Sequence, residues 1–523
     1  MRSVSSSPVS RCGSSRPTID ELLRSGHYLR LIAFIVGSAS LGAEIAAARL
    51  LAPYFGASTI IWANTIATVL VALSVGYALG GRLADRGPRI EGLCAVVMLA
   101  GVLLAAVPFA ADPFLHVAVR ALGGLSVGGF LGSLAAVLVL VALPVMLLGT
   151  VAPYVNRLAI PDLAHAGRVT GGLYAISTAG SLLGTFLAAL LLIPVIGSHR
   201  TFILFALALT AVAAPGIAPR ALRGVPLVIA ALLALPPASA GSDVPGARVI
   251  FSKETEYQYA RVLQLPSGER WLQLNEGVAI HSDYRPGTVL TGGYWDDFLV
   301  APLAAGAGPP RRIAILGDAA GTVARAYGRL LPRAQVDAVE LDGELTTIGR
   351  RFFGLGGPRL QVYTADARPW MAASRTRYDA IFLDAYRQPY IPFYLLTHEF
   401  FASLRAHLTP GGVAIVNVGH IPGSDGLEKV VSATLASTFS SVLRDPVSPT
   451  NSLVLASAAP LLPAAIPAGV ARLSAAPELE RLATTVASRL ASALRGGRIY
   501  TDDRAPVEWL TDFSILGYAT GRR

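Results

Sequence analysis

Charge is what this sequence has least of. Asp, Glu, Lys and Arg make up only 15% of its 523 residues, and the mean hydropathy is +0.55, which excludes an ordinary soluble protein of this length. Cysteine is nearly missing as well. Cys12 lies in a Ser/Arg-rich arm and Cys94 in an apolar run, so neither a metal-ligand spacing nor a disulfide framework is available. The net charge of +10 comes without any RNA- or DNA-binding motif. Many of the arginines flank apolar runs, which reads as membrane topology signals, and no nucleic-acid partner is expected. No cleavable leader is expected either: residues 1–26 read as a disordered arm, and the first apolar run, from about Leu29, is long enough to span a bilayer.

What is present divides into two materials. Residues 27–242 hold apolar runs at about 29–52, 60–80, 92–111, 127–150, 170–196, 200–217 and 224–240, each near the ~20 residues that a bilayer core demands. They predict a membrane α-helical bundle of about seven spans, the last and Pro-containing one being the weakest. Glu44 in the first span, with Arg49 five residues on, is either a functional intramembrane carboxylate or half of a structural ion pair. The Gly-rich stretches GYALGGRLADRGPR, GGLSVGGFLG and GSLLGTFLAALL predict close helix packing. GGRLADR is similar to a short loop motif of major-facilitator transporters, and a tight basic turn accounts for it equally well. Arginines cluster in the N-terminal arm, at Arg82/Arg86/Arg89, at Arg157/Arg168 and at Arg220/Arg223, so the N-terminus and alternate loops are expected in the cytoplasm. Seven crossings would then put the C-terminal part outside, whereas the supply of a nucleotide-like co-substrate favours the cytoplasm, and the cytoplasm is the expectation adopted.

From residue 245 the composition is that of a globular domain. Residues 245–303 alternate apolar and polar side chains around a turn at Pro266-Ser267-Gly268, a small antiparallel β-sheet. Residues 304–523 open with the stretch around which the rest is organised. Ile313 to Leu316 reads as a buried parallel strand, Gly317 to Gly321 as a tight turn and Thr322 to Leu331 as a helix. Three further strands follow. The first ends at Glu340 and Asp342, the second runs Leu360–Tyr363 with Asp366 beyond it, and the third ends at Asp384. A parallel α/β sheet with acids at its strand ends is a nucleotide-binding pattern. The fold class expected is therefore a membrane α-helical bundle followed by an α/β Rossmann-like, class I methyltransferase-type domain, with a small N-terminal antiparallel β-sheet.

The ordered set hairpin sheet, Tyr-Gln, TGGYWDD, Gly turn, VELD, AD, LDAY and TPGG, over about residues 248–420, resembles the polyamine aminopropyltransferases (spermidine synthases). It resembles most the branch fused to a multi-span membrane domain, as does the ending TDDRAPVE. The resemblance implies transfer of an aminopropyl group from decarboxylated S-adenosylmethionine, as co-substrate rather than as a tightly bound cofactor, to an amine such as putrescine, leaving methylthioadenosine. It implies Asp384 as proton acceptor. Gln258, Gly317, Asp318, Gly321, Glu340, Asp366, Ala367 and Pro392 become the donor-binding set, with Glu340 on the ribose and Asp366/Ala367 beside the adenine. The acceptor side becomes Tyr294, Trp295, Asp296, Asp297, Ala320, Tyr386 and Arg387. No metal is implied. The expected partners are a small amine and the lipid bilayer, with a homodimer as the family habit, and the place is the cell (inner) membrane, multi-pass.

Departures fall on the acceptor side. Where the family's Gly turn ends in an Asp, this chain has Ala320, and the turn's acid is Asp318. The family's histidine after Tyr294 is Trp295, and a second Asp three residues past the proton acceptor is Arg387, which reverses the field felt by a diamine's far amino group. Asp296, Asp297 and Asp318 are the acids that could replace those lost. Four alternatives stay open. Asp384 could be a strand-end helix cap and Glu340 a solvated acid. The same fold could transfer a methyl group from S-adenosylmethionine, or the soluble domain could bind a polyamine as part of a transporter or sensor.

Overall fold

The structure, a computed structural model, describes residues 26–55, 59–122, 128–160, 162, 165–235, 244–275, 279–387, 390–473, 477–511 and 514. The N-terminal arm lies outside them, except for Gly26.

Helices α1 (Gly26–Phe55), α2 (Thr59–Asp85), α3 (Ile90–Leu122), α4 (Gly128–Val137), α5 (Leu143–Ala159), α6 (Ala166–Phe186) and α7 (Ile193–Ala213) form the bundle. π-Helical turns at Leu138–Ala142 and Leu187–Leu192 join α4 to α5 and α6 to α7. Among the described residues, five helices are long and apolar enough to cross a membrane. The last of these, Ala166–Gly216, covers two of the expected spans, because Gly197 at φ +83° breaks it. The expected span 224–240 contains only α8 (Val225–Leu232) in its described part. The glycines of the first and third Gly-rich stretches pack closely as predicted, whereas GGLSVGGFLG lies largely outside the described residues. A Cβ on Gly180 or Gly184 would lie 2.1 Å from Phe34 O or Ser38 O of α1, and one on Gly76 would lie 2.2 Å from Met146 O of α5. Only glycine permits backbones that close. Arg49 makes no ion pair with Glu44 among the described residues; its guanidinium donates to the carbonyls of Thr255 and Tyr257.

The expected hairpins form a four-stranded antiparallel sheet in the order β1 (Arg248–Glu254), β2 (Tyr259–Gln264), β3 (Arg270–Leu274), β4 (Ile280–Tyr284). A short helix α9 (Tyr294–Asp297) leads into the main sheet. That sheet is built from β5 (Arg312–Leu316), β6 (Gln335–Glu340), β7 (Leu360–Thr364), β8 (Tyr378–Leu383), β9 (Leu408–Gly419), β10 (Ser441–Ser448), β11 (Asn451–Ser457) and β12 (Ala491–Ser492). Its order is β12-β10-β11-β9-β8-β5-β6-β7, with β5 to β9 parallel and β11 running against β9 and β10. This is the Rossmann-like arrangement expected. Ile313, Ala314, Ile315 and Leu316 are essentially fully buried, because helices cover both faces of a parallel sheet. Among those helices are α10 (Thr322–Leu330), α11 (Gly343–Ile348), α12 (Ala367–Ala373), α13 (His398–Ala406), α14 (Gly426–Ala436) and, further on, α15 (Ala465–Val470) and α16 (Pro477–Arg489). Strand order reverses between β5 and β8. The loops after those two strands therefore diverge and leave a crevice at their carboxyl ends.

Candidate active site

The crevice is floored by the turn after β5. Gly317 (φ +90°), Ala319 (φ +48°) and Gly321 (φ +89°) all take left-handed backbone conformations. At Gly317 a Cβ would lie 2.5 Å from Ala385 Cα and 2.6 Å from Asp384 O, so glycine is what lets the β5 and β8 turns touch. Glu340, at the end of β6, reaches under the turn. Its Oε2 accepts from Ala319 N at 2.8 Å and its Oε1 from Asp342 N at 3.0 Å. It is 8% exposed, which removes the solvated-acid reading. Burial pushes its pKa up to about 7, against the backbone hydrogen bonds from Asp342 and Ala319.

Among the described residues, Asp384 caps no helix. Its Oδ1 accepts from Asn417 Nδ2 at 2.7 Å, and Tyr294 OH donates to Oδ2 at 3.0 Å and more weakly to Oδ1 at 3.3 Å. Desolvation raises its pKa to about 7, and the hydrogen bonds from Asn417, Tyr294 and Trp295 oppose the rise. Asn417 is fixed in orientation because its Oδ1 accepts from Asn451 Nδ2 at 3.0 Å. Tyr386 is tied down beside it: its hydroxyl donates to Asn417 O at 3.0 Å and accepts from Gly419 N at 2.5 Å. The Tyr294 ring stacks on Trp295 with centroids 4.5 Å apart.

Asp318 stands between these two acids. It is 6% exposed, and neither of its carboxylate oxygens has a partner within full hydrogen-bond geometry, although the backbone N–H of Ala324 lies near enough to favour its ionised form. Burial first, then the charges of Glu340 and Asp384, hold its pKa well above the usual carboxylate range. Three carboxyl groups with raised pKa converge on one turn, and each would be relieved by a bound cation.

Other residues of the expected set are placed differently. Asp296 accepts from Thr291 N at 2.9 Å and from Gly292 N at 2.7 Å, so it closes its own loop. Asp297 is ion-paired with Arg489 Nη2 at 2.6 Å. Both acids are already committed to the protein. Ala320 is a correction: it is fully buried and packs with Val262, Leu272, Leu345, Ile348 and Phe353 between the small sheet and α11, not toward the crevice. The positive φ of Ala319 turns the chain there, so that Asp318 faces the other acids while Ala320 enters the core.

Gln258 donates through Nε2 to Asp342 Oδ2 at 3.3 Å, and Thr255 Oγ1 donates to the same oxygen at 2.6 Å. Asp366 caps α12 through Arg368 N at 2.9 Å, and its other oxygen accepts from Tyr394 OH at 2.7 Å. Ala367 is buried behind it. Pro392 begins the turn that carries Tyr394. Arg387 is exposed, and its backbone pairs with Tyr390. Asn417, Asp342 and Tyr394 are absent from the expected set. An Asn inside the apolar strand VAIVNVG and a second acid in VELD were visible signals for the first two; Tyr394 had none. Among the described residues, no group of three or more His, Cys, Asp or Glu is arranged to hold a metal.

No family model matches the chain. A probable polyamine aminopropyl transferase of Bifidobacterium longum is 36% identical over 190 residues, which cover 36% of this chain and 42% of that protein. A polyamine aminopropyltransferase of Vibrio vulnificus is 35% identical over 112 residues, covering 21% and 38%. The chain thus spans about two fifths of the length of the curated relatives it matches. Among solved structures, a probable spermidine synthase from Corynebacterium glutamicum is 21% identical with a TM-score of 0.38, over 49% of this chain and 98% of that one, a likeness too slight to argue from.

Proposed function

This chain carries a domain of the polyamine aminopropyltransferase family, and on that premise we propose that it transfers an aminopropyl group from decarboxylated S-adenosylmethionine to an amine while its helical bundle sits in the cell membrane. The observation that carries the reading is the convergence of Asp318, Glu340 and Asp384, all with raised pKa, at the switch point of the sheet. A donor with a sulfonium charge and an acceptor with ammonium charges both suit such a site.

The residues divide by role. Glu340 holds the donor's ribose hydroxyls, as strand-end acids do in this fold, and Asp366 with Ala367 lies toward the adenine. Asp384, its pKa of about 7 close to working pH, takes a proton from the acceptor's ammonium. The freed nitrogen lone pair then attacks the methylene carbon bonded to sulfur. The C–N bond forms, the C–S bond breaks with its electron pair going to sulfur, and a neutral thioether leaves. Asp318, buried beside the charges of Glu340 and Asp384, holds an ammonium of the acceptor in place of the acid missing at Ala320.

The test is turnover by the full chain in detergent, with the decarboxylated donor and a panel of amines, read as methylthioadenosine. Asp384→Asn should abolish it. Formation of S-adenosylhomocysteine from the carboxylated donor would replace this reading with methyl transfer. A second reading, a small-molecule site in the bundle, has one observation in its favour. A cavity of about 170 Å³ is lined by Ser40, Tyr77, Asn156, Tyr174 and Ser177 among others, and Ser40 Oγ and Asn156 Oδ1 have no hydrogen-bond partner. Amine flux into proteoliposomes that is lost in Ser40→Ala while donor turnover is absent would favour it.

A further inference from the structure

The two ends of the bundle are told apart by what they touch. At one end the start of α1 meets the start of α3 and the close of α7. Tyr28 OH donates to Val212 O at 2.7 Å and lies 3.4 Å from Cys94 Sγ. At the same end Tyr154 OH, near the close of α5, accepts from Arg89 N at 3.2 Å. The loops here carry Arg82, Arg86 and Arg89, then Arg157 and Arg168, then Arg220 and Arg223.

At the other end α1 finishes and α7 begins, and both grip the start of the catalytic part. Arg49 donates to Tyr257 O at 2.6 Å and also to Thr255 O. Glu254, the last residue of β1, accepts from Ser198 N at 2.6 Å and from Ser198 Oγ at 2.5 Å, capping α7 where Gly197 breaks the helix. The glycine contacts agree with this polarity. Gly180 and Gly184 of α6 follow Phe34 and Ser38 of α1 in the same direction, and Gly42 of α1 meets Phe205 of the reversed α7.

Arginine-rich loops mark the cytoplasmic face of a membrane protein. The far end offers only Arg49, Arg120 and Arg200, and Arg49 is engaged with the catalytic part. We infer that the catalytic domain is held on the extracytoplasmic face, opposite the Arg-rich loops. Donor and amine must then both be supplied on that face. The chain can make the required last passage. α8 starts beside Arg223 at the Arg-rich end, and its eight residues rise about 12 Å. The passage is complete by β1, whose Glu254 meets Ser198 at the other end. This reverses the cytoplasmic side expected from co-substrate supply.

The inference rests on the bundle lying in a membrane and not on the chemistry of transfer, so its test needs no activity. In cells making the full chain with Cys12 and Cys94 replaced by Ala, one cysteine is introduced at a time: Ser267→Cys or Asp503→Cys on the exposed catalytic surface, or Ala221→Cys in the exposed Arg-rich turn. A membrane-impermeant maleimide applied to intact cells should label Ser267→Cys and Asp503→Cys as fully as after lysis, and Ala221→Cys only after lysis. Ala221→Cys labelled in intact cells, with both catalytic-domain cysteines protected until lysis, overturns it. Donor turnover measured separately in lysed membranes decides the aminopropyl reading, whichever way the labelling falls.

Discussion

The hydroxyl of Tyr294 gives the sharpest test of Asp384 as proton acceptor. Tyr294→Phe removes one donor to the carboxylate, at 3.0 Å from Oδ2 and 3.3 Å from Oδ1, and leaves the ring and its stacking on Trp295. A hydrogen bond to a charged group contributes about 1.5–3 kcal/mol, and about 1.36 kcal/mol moves a pKa by one unit. Because this bond is shared between two oxygens and Asn417 still donates at 2.7 Å, the low end applies. The Asp384 pKa, about 7 in the native site, should rise by about one unit. At pH 7 the ionised fraction then falls from about half to about a tenth, so kcat/KM drops roughly fivefold and recovers above pH 9. The assay is kcat/KM against pH for the wild type and Tyr294→Phe with the same amine, so that the acceptor's own titration cancels. A loss of the same size at every pH would refute the reasoning, because Tyr294 would then act on geometry and not on the ionisation of Asp384. An unchanged profile would refute the hydrogen bond itself.

Binding of the cationic donor at pH 7 should release protons, since it favours the ionised forms of Asp318, Glu340 and Asp384. Calorimetry in buffers of different ionisation enthalpy measures this, and Asp318→Asn should reduce the number released. In the unliganded protein the folded-state pKa values of Glu340 and Asp384, about 7, exceed those of the unfolded chain, near 4. The folded state therefore binds more protons across that window, and stability falls as pH rises from about 4 to 7. Thermal unfolding at pH 5 and pH 8 should show it, with a smaller difference in Glu340→Gln. Ala320→Asp, which would restore the family's acid in sequence, should instead destabilise by about 2–4 kcal/mol, because the carboxyl enters an apolar cluster. A denaturant midpoint tests this, and putrescine turnover gained at unchanged stability would overturn the placement of Ala320. Arg49→Ala should raise the donor KM about tenfold with a smaller change in kcat, as expected on losing charged hydrogen bonds to the loop that positions Thr255 and Gln258, and Arg49→Lys should restore part of it.

The sheet was legible because its strands are buried on both faces. A run such as Ile313–Leu316 that ends in glycine admits few readings other than a parallel strand, and the acids at Glu340, Asp366 and Asp384 then fall at its carboxyl ends by topology alone. The residues expected on the acceptor side were less legible, because there the outcome depends on where single side chains point. Asp296 and Asp297 look like spare acids in the string TGGYWDD, yet one is consumed by Thr291 and Gly292 and the other by Arg489, which is far away in sequence. Ala320 leaves its expected acceptor place for the core, and Asp318 lies with Glu340 and Asp384, because one non-glycine residue, Ala319, takes φ +48°, and nothing local in Asp-Ala-Ala-Gly announces that. Arg49 was the least legible of all. Glu44 lies five residues away and looks like its partner, but the guanidinium reaches two carbonyls more than two hundred residues on. That contact joins the two materials of the chain at the loop bearing Thr255 and Gln258, which hold Asp342 beside Glu340. The bundle is therefore not independent of the α/β domain: its helix ends supply part of the framework that holds Asp342 beside Glu340.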